Sequence, residues 1–141
     1  MRKNRKVFVS GCFDMLHSGH IEFFRKASRY GNLYVSIGSD KTVHELKNRL
    51  TLCSEKERFF MVSSIKYVYK AFVSRGSGLL DFEKEIQKVK PDYFIVNKDG
   101  DRPEKRSLCN RLNIKYIVLK RTPAKGIISR STTEIRKMWN L

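Results

Sequence analysis

The sequence predicts a doubly wound α/β fold, a parallel sheet with helices over both faces, in one domain covering residues 1–141. Apolar runs such as Val7-Phe8-Val9 are continuous, as in strands buried on both faces. They alternate with segments of helical apolar spacing, and no long linker or low-complexity tract interrupts the series. A glycine-bearing turn from Gly11 follows the first run, beyond the carboxyl end of a strand, where open α/β sheets bind ligands.

The elements follow in order. A first strand is expected near Lys6–Ser10 and a first helix near Gly19–Tyr30, with Ile21, Phe23, Phe24 and Ala27 in helical spacing. Gly31 stands where a left-handed cap would end that helix. A second strand near Leu33–Gly38 leads to helices near Asp40–Leu46 and Glu55–Ile65, the latter opened by the capping box Ser54-x-x-Glu57. A strand near Val68–Ser74 precedes a helix near Leu80–Lys90, which Pro91 stops. A strand near Tyr93–Asn97 is followed by a helix near Pro103–Leu112, with proline at a first helical position. The last strand, near Lys115–Leu119, precedes a helix near Thr132–Trp139 opened by Ser131-x-x-Glu134.

The formal charge is +16, from 30 Lys and Arg against 14 Asp and Glu. That excess favours polyanionic partners. The cations are scattered, without a basic tail or arginine run, so a nucleoside triphosphate with a phosphorylated co-substrate suits them, and nucleic acid is not expected. No segment is apolar enough for a membrane span, and no signal-type apolar stretch follows the basic Met1–Lys6. Cys12, Cys53 and Cys109 form no C-x-x-C pair, which points away from a zinc site or disulfide framework and towards a reduced cytoplasm. Cys12 is expected as a small packing residue.

Function is concentrated in Gly11-Cys12-Phe13-Asp14-Met15-Leu16-His17-Ser18-Gly19-His20. The turn opens a helix with His17 and His20 on one face, beside the free N–H groups of the first turn. Gly19 lets a ligand approach the backbone. Such an arrangement is a phosphate site with two added hydrogen-bond donors. A second anion site is expected where Arg121, Arg130, Ser131, Thr132 and Thr133 lead into the last helix. If both hold one triphosphate, His20 and Ser131 should lie close in space although 111 residues apart.

The pattern G-x-F-D-x-x-H-x-G-H resembles the HxGH nucleotidyltransferase superfamily, and the Arg130-Ser131-Thr132-Thr133 segment is similar to that of glycerol-3-phosphate cytidylyltransferases and heptose-phosphate adenylyltransferases. The resemblance implies a Rossmann-like fold and a homodimer. It implies catalytic roles for His17, His20 and Lys47, with Arg49 a near substitute for Lys47. Gly11, Cys12, Phe13, Asp14, Gly19, Asp101, Arg130, Ser131, Thr132 and Thr133 would contact the nucleotide, Asp101 through a ribose hydroxyl and in preference to Asp99. Arg58 and Arg121 would hold a phosphorylated acceptor. Asp14 is equally read as orienting the turn.

The chemistry so implied is transfer of a nucleoside monophosphate to a phosphorylated small molecule with release of pyrophosphate, CTP being slightly favoured over ATP. Magnesium is expected to arrive with the triphosphate, since no carboxylate cluster forms a protein cage. A non-catalytic nucleotide- or RNA-binding module would be marked by loss of a histidine or of the hydroxyl cluster, and a flavodoxin-like redox domain by different cysteine and phosphate motifs. Both histidines and all three hydroxyls are present.

Overall fold

The computed structural model describes residues 5–140; the basic Met1–Asn4 lies outside them. Five parallel strands, β1 (Lys6–Gly11), β2 (Asn32–Ile37), β3 (Lys70–Val73), β4 (Tyr93–Asn97) and β5 (Lys115–Leu119), form one sheet in the order β3-β2-β1-β4-β5. The helices are α1 (Ser18–Ser28), α2 (Asp40–Lys47), α3 (Glu55–Ser63), α4 (Glu83–Val89), α5 (Pro103–Leu112) and α6 (Thr132–Met138). This is the expected Rossmann-like α/β architecture, with every anticipated strand and helix present.

Continuous apolar strands have partners on both faces. Val7 and Val9 pack with Phe23, Phe24 and Ala27 of α1 and Val62 of α3. Phe8, between them, points the other way, among Phe82, Ile86 of α4, Phe94 and Leu108 of α5. Burying a side chain of this size contributes about 1.5–3 kcal/mol. The two faces therefore lock β1 at the centre of the sheet.

Three local expectations differ from the structure. Helix α4 starts at Glu83 and not near Leu80, because Phe82 is held in the core and its cap position has no side-chain hydrogen bond. A 3₁₀ turn, Lys98–Gly100, follows β4. Gly31 has φ +154° and is not a left-handed helical cap; a Cβ there would stand 2.5 Å from the Arg5 carbonyl oxygen, so close chain approach requires the glycine.

The strand order creates a crevice. β1 pairs with β2 along its whole length, from Lys6↔Asn32 to Gly11↔Ile37. With β4 it pairs only at Val7↔Tyr93 and Phe8↔Phe94, so the two strands part towards their carboxyl ends. The opening lies where strand order reverses, and the Gly11–His20 turn rises beside it.

Two nearly buried charges fix that turn. Asp14, 4% exposed, accepts from the amides of Leu52 and Cys53 at 2.9–3.0 Å. Arg58, fully buried, donates to the carbonyls of Cys12 (2.7 Å), Gly38 (2.6 Å) and Cys53 (3.0 Å) and to Asp40 (2.7 Å). The acceptor role expected for Arg58 is thereby corrected: its guanidinium is engaged within the fold. Asp14 likewise braces the turn, its oxygens accepting from backbone amides.

Removing the Arg58 guanidinium would strand three backbone carbonyls in a dry site, at about 1–3 kcal/mol for each buried polar group left unsatisfied. Arg58→Met is expected to lower unfolding free energy by at least ~3 kcal/mol in a urea titration. A loss below ~1 kcal/mol would show that the buried network carries little of the fold.

Candidate active site

The turn is shaped by Phe13, whose φ of +53° is left-handed, a costly conformation for a bulky residue. Its ring is buried against Phe24 and His20, with centroids 5.1 and 5.6 Å away. A Cβ at Gly11 would stand 2.7 Å from that ring, so only glycine leaves room for it. Gly11 and Phe13 thus shape the turn, and the structure records no polar side-chain group of theirs for a nucleotide. Cys12 lends its carbonyl to Arg58, and burial pushes its thiol pKa up, as suits a packing residue.

His17 and His20 cap α1 reciprocally. His17 Nδ1 accepts from the Gly19 amide at 3.0 Å, and His20 Nδ1 accepts from the His17 amide at 3.2 Å. An imidazole nitrogen that accepts carries no proton, so in each neutral ring the hydrogen is on Nε2. The capping geometry therefore aims two Nε2–H donors away from the helix. His17 Nε2 is buried and has no partner. The rings lie 4.0 Å apart. Burial, then the positive fields of His17, Arg121 and Lys47, push the His20 pKa down to about 3. Burial, with Arg121 and Arg130, lowers that of His17 as well. Both rings are neutral donors near pH 7.

The carboxyl-terminal segment closes over this helix start. A Cβ at Gly19 would stand 3.4 Å from the Arg130 carbonyl oxygen, and Arg121 donates to that oxygen at 2.6 Å. Lys26 of α1 bonds the Thr122 hydroxyl. Ser18, Gly19, Asn97, Arg121 and Arg130 line one small crevice. The two motifs meet as expected despite their separation in sequence. Ser131 caps α6 by accepting from the Glu134 amide at 3.1 Å, which leaves its O–H free to donate; Thr132 is half-buried and Thr133 exposed beside it. The Arg130 guanidinium rests on Glu134 and Met138, away from a phosphate clamp.

Arg121 differs from its assigned acceptor role. It stands at the histidine end of the crevice and pairs with Asp99 at 3.0 Å. Asp101 is held elsewhere: it accepts from the Tyr116 hydroxyl at 2.8 Å and faces Arg106, while Asp99 is the carboxylate that meets Arg121. Lys47 is the exposed last residue of α2, near enough to act on both His20 and Cys12. Arg49 also acts on Cys12, and its Nε is buried and unpartnered, so both cations flank the site. Among the described residues no group of three or more His, Cys, Asp or Glu is placed to hold a metal ion, and no helix is long and apolar enough to cross a membrane.

A parallel sheet split at its switch point, with a doubly capped anion site above it, defines a nucleotide-handling α/β protein. Residues 8–138 match the family model described as cytidylyltransferase-like, and the chain belongs to that family of nucleotidyltransferases. It is 34% identical over 118 residues to an FAD synthase of Aciduliprofundum boonei, covering 82% of this chain and 76% of that protein. It is 37% identical over 95 residues to the bifunctional protein HldE of Helicobacter pylori, covering 66% of this chain and 20% of HldE. A lipopolysaccharide core biosynthesis protein from Thermoplasma volcanium superposes with a TM-score of 0.70 at 26% identity, over 86% of this chain and 98% of that one.

The depressed His20 pKa has a consequence for stability. Between about 3 and the ordinary 6.5, the unfolded chain takes up a proton at His20 that the folded chain refuses. Stability from this group is full above pH 6.5 and is lost as pH falls through that window. Urea midpoints measured from pH 7 to pH 4 should decline less steeply for His20→Asn than for the parent. Parallel declines would mean that His20 titrates normally.

Proposed function

We propose that the protein transfers a nucleoside monophosphate from a nucleoside triphosphate to the phosphate of a small phosphorylated acceptor, with release of pyrophosphate. The observation that carries this reading is the buried, unpartnered Nε2–H of His17, set beside that of His20 at a helix start. Buried donors without partners are costly, and an anion at a helix N-terminus satisfies them.

An oxygen of the acceptor phosphate attacks the α-phosphorus, and the bond to the β-phosphate breaks with its electron pair leaving on pyrophosphate. A phosphate is already ionised near pH 7, so no general base is needed. Catalysis then consists of in-line positioning and stabilisation of developing charge. His17 and His20 donate to phosphate oxygens without gaining or losing protons. Lys47 and Arg49 add positive charge from the end of α2, and the hydroxyls of Ser131, Thr132 and Thr133 take the outer phosphates. Magnesium would enter on the triphosphate, liganded by phosphate oxygens and water.

ATP now fits better than CTP as the donor. FAD synthase names a product that contains an adenylyl group, and the Arg130–Thr133 segment is similar to that of heptose-phosphate adenylyltransferases. The acceptor is a phosphorylated small molecule, a sugar or polyol phosphate in this reading.

A screen of the four nucleoside triphosphates against phosphorylated acceptors, reading pyrophosphate release, tests the proposal. His17→Ala and His20→Ala are each expected to lower turnover by at least ~100-fold, as loss of about 3 kcal/mol of transition-state stabilisation would do. Near-parental turnover in either variant removes the histidines from catalysis. Triphosphate with magnesium should stabilise the folded chain by about 2.7 kcal/mol at 100 times its dissociation constant. A melt insensitive to every triphosphate but shifted by RNA would favour a binding module.

A further inference from the structure

A groove of about 930 Å³ follows one edge of the sheet and shares no lining residue with the histidine crevice. Its floor is β3, the terminal strand on that side, and all four residues Lys70–Val73 line it. A strand paired on one side only leaves a row of N–H and C=O groups without ladder partners. Helices from the two faces of the sheet form the walls. Lys56 and Phe59 belong to α3, whose Val62 packs in the core on one face; Lys84, Lys88 and Val89 belong to α4, whose Ile86 packs on the other.

The lining is apolar at its base and positive at its rim. Tyr34 and Phe72 are half-buried against the α4-side core, and Phe59 is 39% exposed. Six cations line the groove, Lys6, Lys56, Lys70, Arg75, Lys84 and Lys88, against two carboxylates, Glu55 and Glu85. Among the described residues none of the six cations makes an ion pair within 4.0 Å. Both carboxylates are engaged by backbone: Glu55 accepts from the Asp40 amide at 2.9 Å and Glu85 from the Arg75 amide at 3.2 Å. The uncommitted charge of the groove is therefore positive. Lys84 and Lys88, four apart on α4, present two ammonium groups on one side of it.

These features select the occupant. A free strand edge pairs with an extended backbone, which supplies the missing N–H and C=O partners. The cations call for Asp and Glu, and the apolar base calls for apolar side chains alternating with them. A second copy of this chain would bring the same cations to a symmetric contact and be repelled. A nucleic acid has the charge but cannot continue a backbone ladder.

We infer that the groove beside β3 receives an acidic, extended segment of a partner protein, added to the sheet as a further strand. Its backbone pairs with Lys70–Val73, and its carboxylates meet the lysines of α3 and α4. The inference is independent of the nucleotidyltransfer reading.

The test titrates the full chain with labelled peptides of about eight residues in which Glu alternates with Val, Leu, Phe or Tyr. At least one should bind saturably and be displaced by its unlabelled form. N-methylation of alternate peptide amides, which removes ladder donors and keeps the charge, should weaken binding at least tenfold. Lys84→Glu/Lys88→Glu should do the same while its thermal melt and pyrophosphate release match the parent. Absence of saturable binding overturns the inference, and so does equal binding of the N-methylated peptide, which would mean charge attraction alone. Displacement by a single-stranded oligonucleotide more effective than the unlabelled peptide would give the groove to nucleic acid. Sedimentation showing a dimer that the peptide cannot enter would give it to a second copy.

Discussion

Everything at the site depends on one local constraint, the anchoring of the turn after β1 by two nearly buried charges. Asp14 and Arg58 sit where a solitary ion would be expelled or neutralised. Each is tolerated because backbone groups surround it: amides of Leu52 and Cys53 for the carboxylate, carbonyls of Cys12, Gly38 and Cys53 for the guanidinium. These bonds tie the turn to the strand end beside it and to the loop before α3. The left-handed Phe13 is held in that frame, and its ring in turn positions His20.

The histidines show how a polyanion site is built from neutral groups. Two imidazolium ions 4.0 Å apart would repel strongly in a partly dry pocket. The reciprocal cap avoids this by making each Nδ1 an acceptor, so both protons are directed outwards. Positive charge comes instead from Lys47, Arg121 and Arg130, whose fields reach the rings without contact. For a polyanionic ligand such cations would act from a distance, and the neutral donors would fix its geometry at short range.

Much of this was legible in the sequence. Periodicity located the strands and helices, since a strand buried on both faces must be apolar throughout and a helix must present one apolar side. Fixed spacing singled out His17, Gly19 and His20, because their shared place at a helix start follows from helix geometry alone. The sequence shows charge but not where a charge is buried. Arg58 read as a surface cation reaching for an acceptor, although α3 turns it inwards to the strand ends. Asp101 and Asp99 were separable only by the 3₁₀ turn, whose length decides which carboxylate meets Arg121. The parting of β1 and β4 after Phe8 depends on strand order, which spacing does not encode.

Strand order also explains why two motifs at opposite ends of the chain share a site. β1 is central and β5 is on the edge beyond β4, so the segment after β5 must cross the carboxyl end of β4 to reach α1. That path lies over the split between β1 and β4, and it brings Arg121 and the Arg130 carbonyl onto the start of α1. Gly19 is required by the cap itself: a Cβ there would stand 2.8 Å from Cε1 of the His17 ring, while the Arg130 carbonyl of the returning segment is at contact distance, 3.4 Å. The crossing walls the crevice, which Asn97, Arg121 and Arg130 line together with Ser18 and Gly19.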